Sequence, residues 1–136
     1  MAVERIIDAT PESLAAQLDS TVEIARLLPE ACVHSWEHTD PTGPARVTYQ
    51  IKAFKRRLTA KLAIKEPGRL IELDHLGNKG FVTRFLLAET PKGTRVTMTS
   101  YLNPPTWPFR KYYYEAVRPD WVVCYEQALT RLEQGE

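Results

Sequence analysis

Residues 58–75 read LTAKLAIKEPGRLIELDH, and this stretch decides the fold because its pattern is that of two strands joined by a tight turn. Apolar and polar side chains alternate on both sides of Pro67-Gly68, a dipeptide typical of turns. A turn centred there pairs the residues of one face across the two strands, namely Ile64 with Ile71, Leu62 with Leu73, and Ala60 with His75. The opposite face then points to water and carries Thr59, Lys61, Lys65, Glu72 and Asp74.

The same alternation extends on both sides of this hairpin, from Ala31 to Ser100. Turn sequences interrupt it at residues 40–44, 55–57, 67–68, 77–80 and 91–93. Their spacing of roughly 8–12 residues is typical of consecutive antiparallel strands, not of strands joined by crossover helices. Six strands in a meander are predicted. In the strand after residue 80, alternation alone leaves two faces open, and we favour Phe85 and Leu87 as the inward pair.

The segment before the meander predicts a strand and two short helices. Residues 3–9 are rich in β-branched side chains, and Thr10-Pro11-Glu12 is a typical helix start, with a capping hydroxyl, proline in the first turn and a favourable negative charge. Leu14 and Leu18 are four residues apart, as on one face of a helix. A second helical piece over residues 22–28 is expected to stop at Pro29.

The segment after the meander predicts a long helix with one buried face. Its apolar residues are spaced by three and four positions and form one stripe: Tyr114, Val117, Trp121, Cys124, Ala128 and Leu132. Pro119 falls within this stripe. It predicts either a kink, or a division into a piece that ends near Val117 and a second that starts near Arg118.

Composition limits the classes of function. A chain of 136 residues, 43% hydrophobic and 26% charged, is typical of one globular domain, here taken as residues 1–136. The 18 basic and 17 acidic side chains nearly cancel, so no nucleic-acid partner is predicted. No apolar run approaches the roughly 20 residues of a membrane span. Cys32 and Cys124 are far apart in the chain and fit no disulfide framework, which together with the absence of a signal-peptide pattern favours a cytoplasmic setting.

Three short motifs carry a resemblance to a known family. They are IDATPE at residues 7–12, LLPE at residues 27–30 and GTRVT at residues 93–97. With the order of elements, they resemble the START-like or SRPBCC superfamily, which includes birch-pollen-allergen-like proteins and polyketide cyclases. The resemblance implies an α+β helix-grip fold, in which a curved, seven-stranded antiparallel sheet wraps around a long C-terminal helix and leaves an apolar cavity. Pro119 departs from the family's usual helix.

The predicted inward faces name a candidate cavity lining. From the strands it comprises Tyr49, Ile51, Leu62, Leu73, His75, Phe85, Met98 and Ser100, and from the helix Val117, Trp121 and Cys124. His75 is the ionisable side chain of this set. It would donate a hydrogen bond to a ligand carbonyl, act as an acid or base, or be a core histidine whose hydrogen bond is made with a neighbouring residue. His34 and His38 would be roughly 13 Å apart on an extended strand, too far to share a metal ion.

Three functions remain open at this stage. The first is binding of a small hydrophobic molecule, lipid-like or aromatic. The second is a cyclase-type enzyme with His75 or Tyr49 as the acid–base group, although no Ser-His-Asp order or pair of inward carboxylates supports catalysis. The third, also implied by the resemblance, is a protein-interaction module or homodimer that uses a basic cluster (Lys52, Lys55, Arg56, Arg57, Lys61 and Lys65) or an aromatic group (Trp107, Phe109, Tyr112, Tyr113 and Tyr114). No cofactor or metal is predicted.

Overall fold

The computed structural model describes residues 2–38, 43–51, 54–76, 81–102, 111 and 113–135, and within them seven strands form one antiparallel sheet. In chain order these are β1 (Ala2–Ile7), β2 (Val33–His38), β3 (Ala45–Ile51), β4 (Phe54–Glu66), β5 (Leu70–Leu76), β6 (Phe81–Thr90) and β7 (Gly93–Leu102). Their order across the sheet is β1-β7-β6-β5-β4-β3-β2. The predicted six-stranded meander is therefore present, and the sheet curls into a half-barrel.

Two short helices separate β1 from β2, as predicted. Helix α1 spans Pro11–Ala16, and the Thr10 hydroxyl accepts a hydrogen bond from the Ser13 amide at 3.2 Å. Helix α2 spans Thr21–Leu27 and is capped by Ser20 in the same manner. Such caps satisfy amides that a helix leaves without partners at its start. The sequence signals for helix start and stop were therefore correct here.

The β4–β5 hairpin has the predicted register. Ala60 lies opposite His75 and Leu62 opposite Leu73, as alternation around the turn required. The burial of two residues in this hairpin differs from the prediction. Ile64 lies opposite Ile71 but is 51% exposed, because a bulge follows it at the end of β4. Glu72 was expected in water but is 9% exposed, since Arg84 of the neighbouring β6 covers it with an ion pair of 2.9 Å.

The inward face of β6 is the one we favoured. Phe85 and Leu87 are buried, while Leu86 between them is 40% exposed. Thr83 is also buried on this face, opposite Leu73 of β5. Packing against the final helix decides the question that alternation left open, because apolar side chains occur on both faces of this strand.

The predicted turn at residues 55–57 is wrong. These residues lie inside β4, which pairs with β3 from Phe54 onward. Three consecutive basic side chains resemble a solvated turn, but cross-strand pairing overrides local preference. Because side chains alternate along a strand, the basic cluster is divided between the two faces of the sheet. Arg57, for example, forms an ion pair with Glu37 at 3.3 Å.

The C-terminal helix is divided where Pro119 predicted. A π-helical turn over Tyr113–Val117 precedes helix α3, which spans Arg118–Gln134 with Pro119 in its first turn. The amide of a residue in the first turn has no helical partner, so a proline at this position costs no hydrogen bond. The helix begins at the proline instead of being kinked by it. Within the described side chains the predicted stripe is buried, and two further residues join it, Tyr125 and Leu129. The side chain of Tyr114 lies outside the described residues.

Candidate functional site

The concave face of the sheet and one side of α3 bring the predicted lining residues together. All of them are buried except Leu62 and Ser100, which are half-buried. One row across the sheet is apolar and runs from Ile71 through Phe85 and Met98 to Val3. The next row, towards the other end of the strands, continues through Thr83 and Ser100. The interior thus changes from apolar to mixed along the strand direction.

Tyr49 and His75 form a direct hydrogen bond in this mixed region. The Tyr49 hydroxyl lies 2.5 Å from Nε2 of His75, and the two residues are 2% and 4% exposed. Their rings meet edge to face at a centroid distance of 5.3 Å. Alternation placed both side chains on the concave face, but their contact across the intervening strand β4 was not predicted.

Trp121 of α3 packs against Tyr49 of the Tyr49–His75 pair. Its ring centroid lies 5.7 Å from that of Tyr49, with the two planes tilted by 30°. Trp121 is in the first turns of α3 and is itself buried. The aromatic surface of the helix and the polar pair of the sheet therefore meet at one place, an arrangement typical of ligand sites with an apolar wall and a few polar groups.

Tyr125 is a site residue that the sequence pattern did not identify. Its hydroxyl lies 2.8 Å from that of Thr83, and it also forms hydrogen bonds with Ser100 and Trp121. The predicted stripe steps from Trp121 to Cys124 and then to Ala128, and so passes over Tyr125. A helical wheel drawn from Trp121 with four-residue steps would have included it.

The two buried phenols stay protonated at neutral pH. Burial raises the pKa of Tyr49 well above its ordinary value, and the nearby Tyr125 and Cys32 add to the effect. Burial also raises the pKa of Tyr125, although its hydrogen bonds with Ser100, Thr83 and Trp121 act in the opposite direction. Both hydroxyls can therefore donate a hydrogen bond as well as accept one.

Cys32 and Cys124 are in contact, which their separation in the chain did not predict. Both are buried free thiols, and the Cys32 thiol donates a hydrogen bond to the Pro29 carbonyl at 3.5 Å. Interaction between the two thiols lowers the pKa of Cys124 and, together with burial, raises the pKa of Cys32. Residues 92 positions apart in the chain come together because Cys124 faces the sheet from α3 next to the start of β2. The spacing of the two cysteines in the sequence does not predict this contact.

The histidines of β2 do not form a metal site. His34 is the extra residue of a bulge and is exposed, whereas His38 stacks on Trp36 at a centroid distance of 6.1 Å. Within the described part of the chain, no group of three or more metal-ligating side chains is found. Nε1 of Trp36 and Nε2 of His38 are buried without a hydrogen-bond partner. Such atoms are places where a water molecule or a polar ligand group would be stabilised.

The proposed protein-interaction surfaces are only partly visible. Trp107, Phe109, Tyr112 and Lys52 lie outside the described residues, as do the side chains of Tyr113 and Tyr114. Of the remaining basic residues, Lys55, Arg57 and Lys61 share the outer face of β4, whereas Arg56 lies on the concave face. In the described ranges, none of the helices has the length and apolar character needed to span a bilayer.

Comparisons with known proteins find likeness in structure and none in sequence. No protein-family model and no curated protein matches the chain. The solution structure of the KanY protein superposes with a TM-score of 0.79 at 13% identity, over 98% of this chain and 94% of that one. For TTHA0849 from Thermus thermophilus the TM-score is 0.70 at 20% identity, over 98% and 94% of the two chains. For Ara h 8.0201 it is 0.58 at 12% identity, over 97% and 95%.

These likenesses span almost the whole of each chain and confirm the predicted fold. A seven-stranded curled sheet, short helices after the first strand and a long C-terminal helix together make the α+β helix-grip arrangement. At such low identities the comparisons establish the fold, and activity has to be argued from the site itself.

Proposed function

We propose that the protein binds a small and largely apolar molecule, lipid-like or aromatic, between the concave face of the sheet and the first half of α3. The observation that carries this proposal is the buried hydrogen bond between Tyr49 and His75 beneath Trp121. Removing polar groups from water is costly unless they are satisfied. A few such groups in an apolar enclosure are what orients a small-molecule ligand.

The proposed roles follow from the chemistry of each side chain. Tyr49 presents a hydroxyl that can donate to a ligand carbonyl or accept from a ligand hydroxyl while it remains bonded to His75. The ring of Trp121 supplies a flat apolar surface for an aliphatic chain or an aromatic ring. Phe85 and Met98 line the apolar row beyond, where the rest of the molecule would lie.

Native mass spectrometry of protein purified from its own host tests the proposal directly. We expect a retained small molecule, whereas a retained protein would favour the interaction module instead. Stripped protein should then bind the methyl ester of 11-(dansylamino)undecanoic acid, followed by energy transfer from tryptophan. Absence of both a retained molecule and probe binding would contradict the proposal.

Matched variants connect binding to the Tyr49–His75 pair. Tyr49→Phe and His75→Phe should weaken binding of the same probe about tenfold, the effect of one lost hydrogen bond in a dry site. Thr94→Val is the control, because it also removes a buried hydroxyl, one that bonds to the Ala9 carbonyl at 2.7 Å at the other end of β7. The control should leave probe affinity unchanged.

A second candidate function is acid–base catalysis of the polyketide-cyclase type. The Tyr49–His75 hydrogen bond favours it, since a histidine that is hydrogen-bonded to a phenol is held in position to accept or donate a proton. Holding a flexible substrate in a folded shape would supply the rest of the rate enhancement. If Tyr49→Phe and His75→Phe leave turnover of linear polyketide analogues unchanged, this candidate fails while binding remains.

A further inference from the structure

One basic residue of β4 lies on the concave face, beside the proposed ligand position. Arg56 is directly opposite Tyr49 in the β3–β4 register. Side chains alternate along β4, so Arg56 shares a face with Leu58 and with the buried Ala60. Arg57 points to the other face, where it pairs with Glu37. Arg56 is half-buried, which fits a long side chain at the edge of an enclosure.

The position of Arg56 is at the end of the sheet rather than in its middle. Among the residues that the structure describes, the pairing of β4 with β5 begins at Thr59 opposite Leu76, and residues 54–58 of β4 pair with β3. Arg56 therefore extends beyond the end of β5, at the same end of the sheet as Tyr49. A molecule lying over Tyr49 is within reach of the long side chain of Arg56, because the α-carbons of directly opposed residues are about 5 Å apart.

We infer that the ligand is an anionic amphiphile whose carboxylate is bound by Arg56 at this edge, while its apolar body lies over Tyr49 and Trp121. This rests on the proposed function and names the class of ligand for the same site. A carboxylate near an apolar enclosure needs a positive partner to offset the loss of its hydration. Arginine stays charged at all accessible pH values and can give a carboxylate two parallel hydrogen bonds.

The test compares an acid with its neutral derivative on full-length stripped protein. The probes are 11-(dansylamino)undecanoic acid and its methyl ester, which share the same ring and chain. Wild-type protein should bind the acid about tenfold more tightly than the ester, the ratio expected for one charge-assisted contact. Arg56→Gln should reduce this ratio to within twofold of unity, and Arg56→Lys should keep part of it.

Arg57→Gln is the matched control, because it removes the same charge one residue away on the opposite face. It should leave the acid-to-ester ratio unchanged. An equal affinity of wild-type protein for acid and ester would overturn the inference, as would an equal loss of preference in both variants. Either result would leave the proposed function standing if the ester binds, whereas failure of both probes would count against the proposed function itself. Thermal melting of each variant confirms that the fold is retained.

Discussion

The hydroxyl of Tyr49 lies 2.5 Å from Nε2 of His75 although a whole strand separates the two residues. Tyr49 is opposite Arg56 and His75 is opposite Ala60, so the pair is four residues out of register across β4. In a flat sheet their α-carbons would be about 16 Å apart, farther than the two side chains reach together. The contact therefore exists because the sheet curls.

The Tyr49–His75 hydrogen bond should contribute to stability as a coupled pair. We expect Tyr49→Phe and His75→Phe each to lower the free energy of unfolding by about 1–2 kcal/mol, since each leaves a buried polar partner behind. The double variant should cost less than the sum, with a coupling of about 1 kcal/mol. Urea denaturation of the wild type, the two single variants and the double variant gives the four free energies of this double-mutant cycle. Strict additivity of the two losses would show that the contact contributes no coupling energy.

Adjacent residues of β6 should differ strongly in their sensitivity to truncation. Phe85→Ala removes a fully buried ring and should cost about 3–5 kcal/mol, whereas Leu86→Ala on the exposed face should cost less than about 1 kcal/mol. The denaturation midpoint of each variant measures this. A larger loss at position 86 than at position 85 would mean that the strand presents its other face to the helix.

Gly93 and Gly68 should differ in their tolerance of a methyl group. Gly93 has φ +137°, and a methyl group there would overlap the carbonyl oxygen of Ile7, which lies next to it in the β1–β7 pairing. Gly68 has φ +71° in the exposed hairpin turn, with open space around it. Gly68→Ala should cost about 1 kcal/mol, and Gly93→Ala clearly more, because steric overlap adds to backbone strain. Calorimetric melting distinguishes the two, and similar shifts would argue against the tight β1–β7 junction.

Stability should fall at alkaline pH. The pKa of both Tyr49 and Tyr125 is raised by burial, so the folded state holds these protons more tightly than the unfolded state. Their contribution is fully present below the unfolded pKa, about 10, and is lost as the pH rises above it. Titration by absorbance at the phenolate band should show that the phenols of Tyr49 and Tyr125 ionise only on unfolding. Tyr49→Phe should lessen the alkaline loss, and an unchanged pH dependence would contradict the burial of its hydroxyl.

The contacting thiols of Cys32 and Cys124 should form a cross-link on mild oxidation. Diamide would take up two electrons and two protons as the two S–H groups become one S–S bond. The bond would tie α3 to the start of β2 and close a long loop, so melting temperature should rise, consistent with the typical 2–4 kcal/mol of a disulfide. Mass spectrometry of the folded protein measures the loss of two hydrogens, with Cys32→Ser as control. Cross-linking only after unfolding would mean that the thiols do not face each other.

Local pattern determined the order and nature of most elements. The hairpin around Pro67-Gly68 has the predicted register because side-chain alternation and turn geometry are both properties of neighbouring residues. The caps at Thr10 and Ser20 and the division of the last helix at Pro119 are local in the same sense. Alternation also assigned Tyr49, His75, Phe85 and Met98 to one face, so the composition of the candidate site could be predicted before its geometry.

The sequence by itself thus determined most of the side chains that point inward, and the tertiary structure decided which of them meet. The Tyr49–His75 bond depends on the curl of the sheet, and the Cys32–Cys124 contact depends on how α3 is rotated over β2. Neither property is encoded in the spacing of nearby residues, because both arise from the packing of elements that are distant in the chain. A bulge at the end of β4 left Ile64 half-exposed, and cross-strand pairing placed Arg56, which the sequence pattern assigned to a solvated turn, on the face that holds the candidate site.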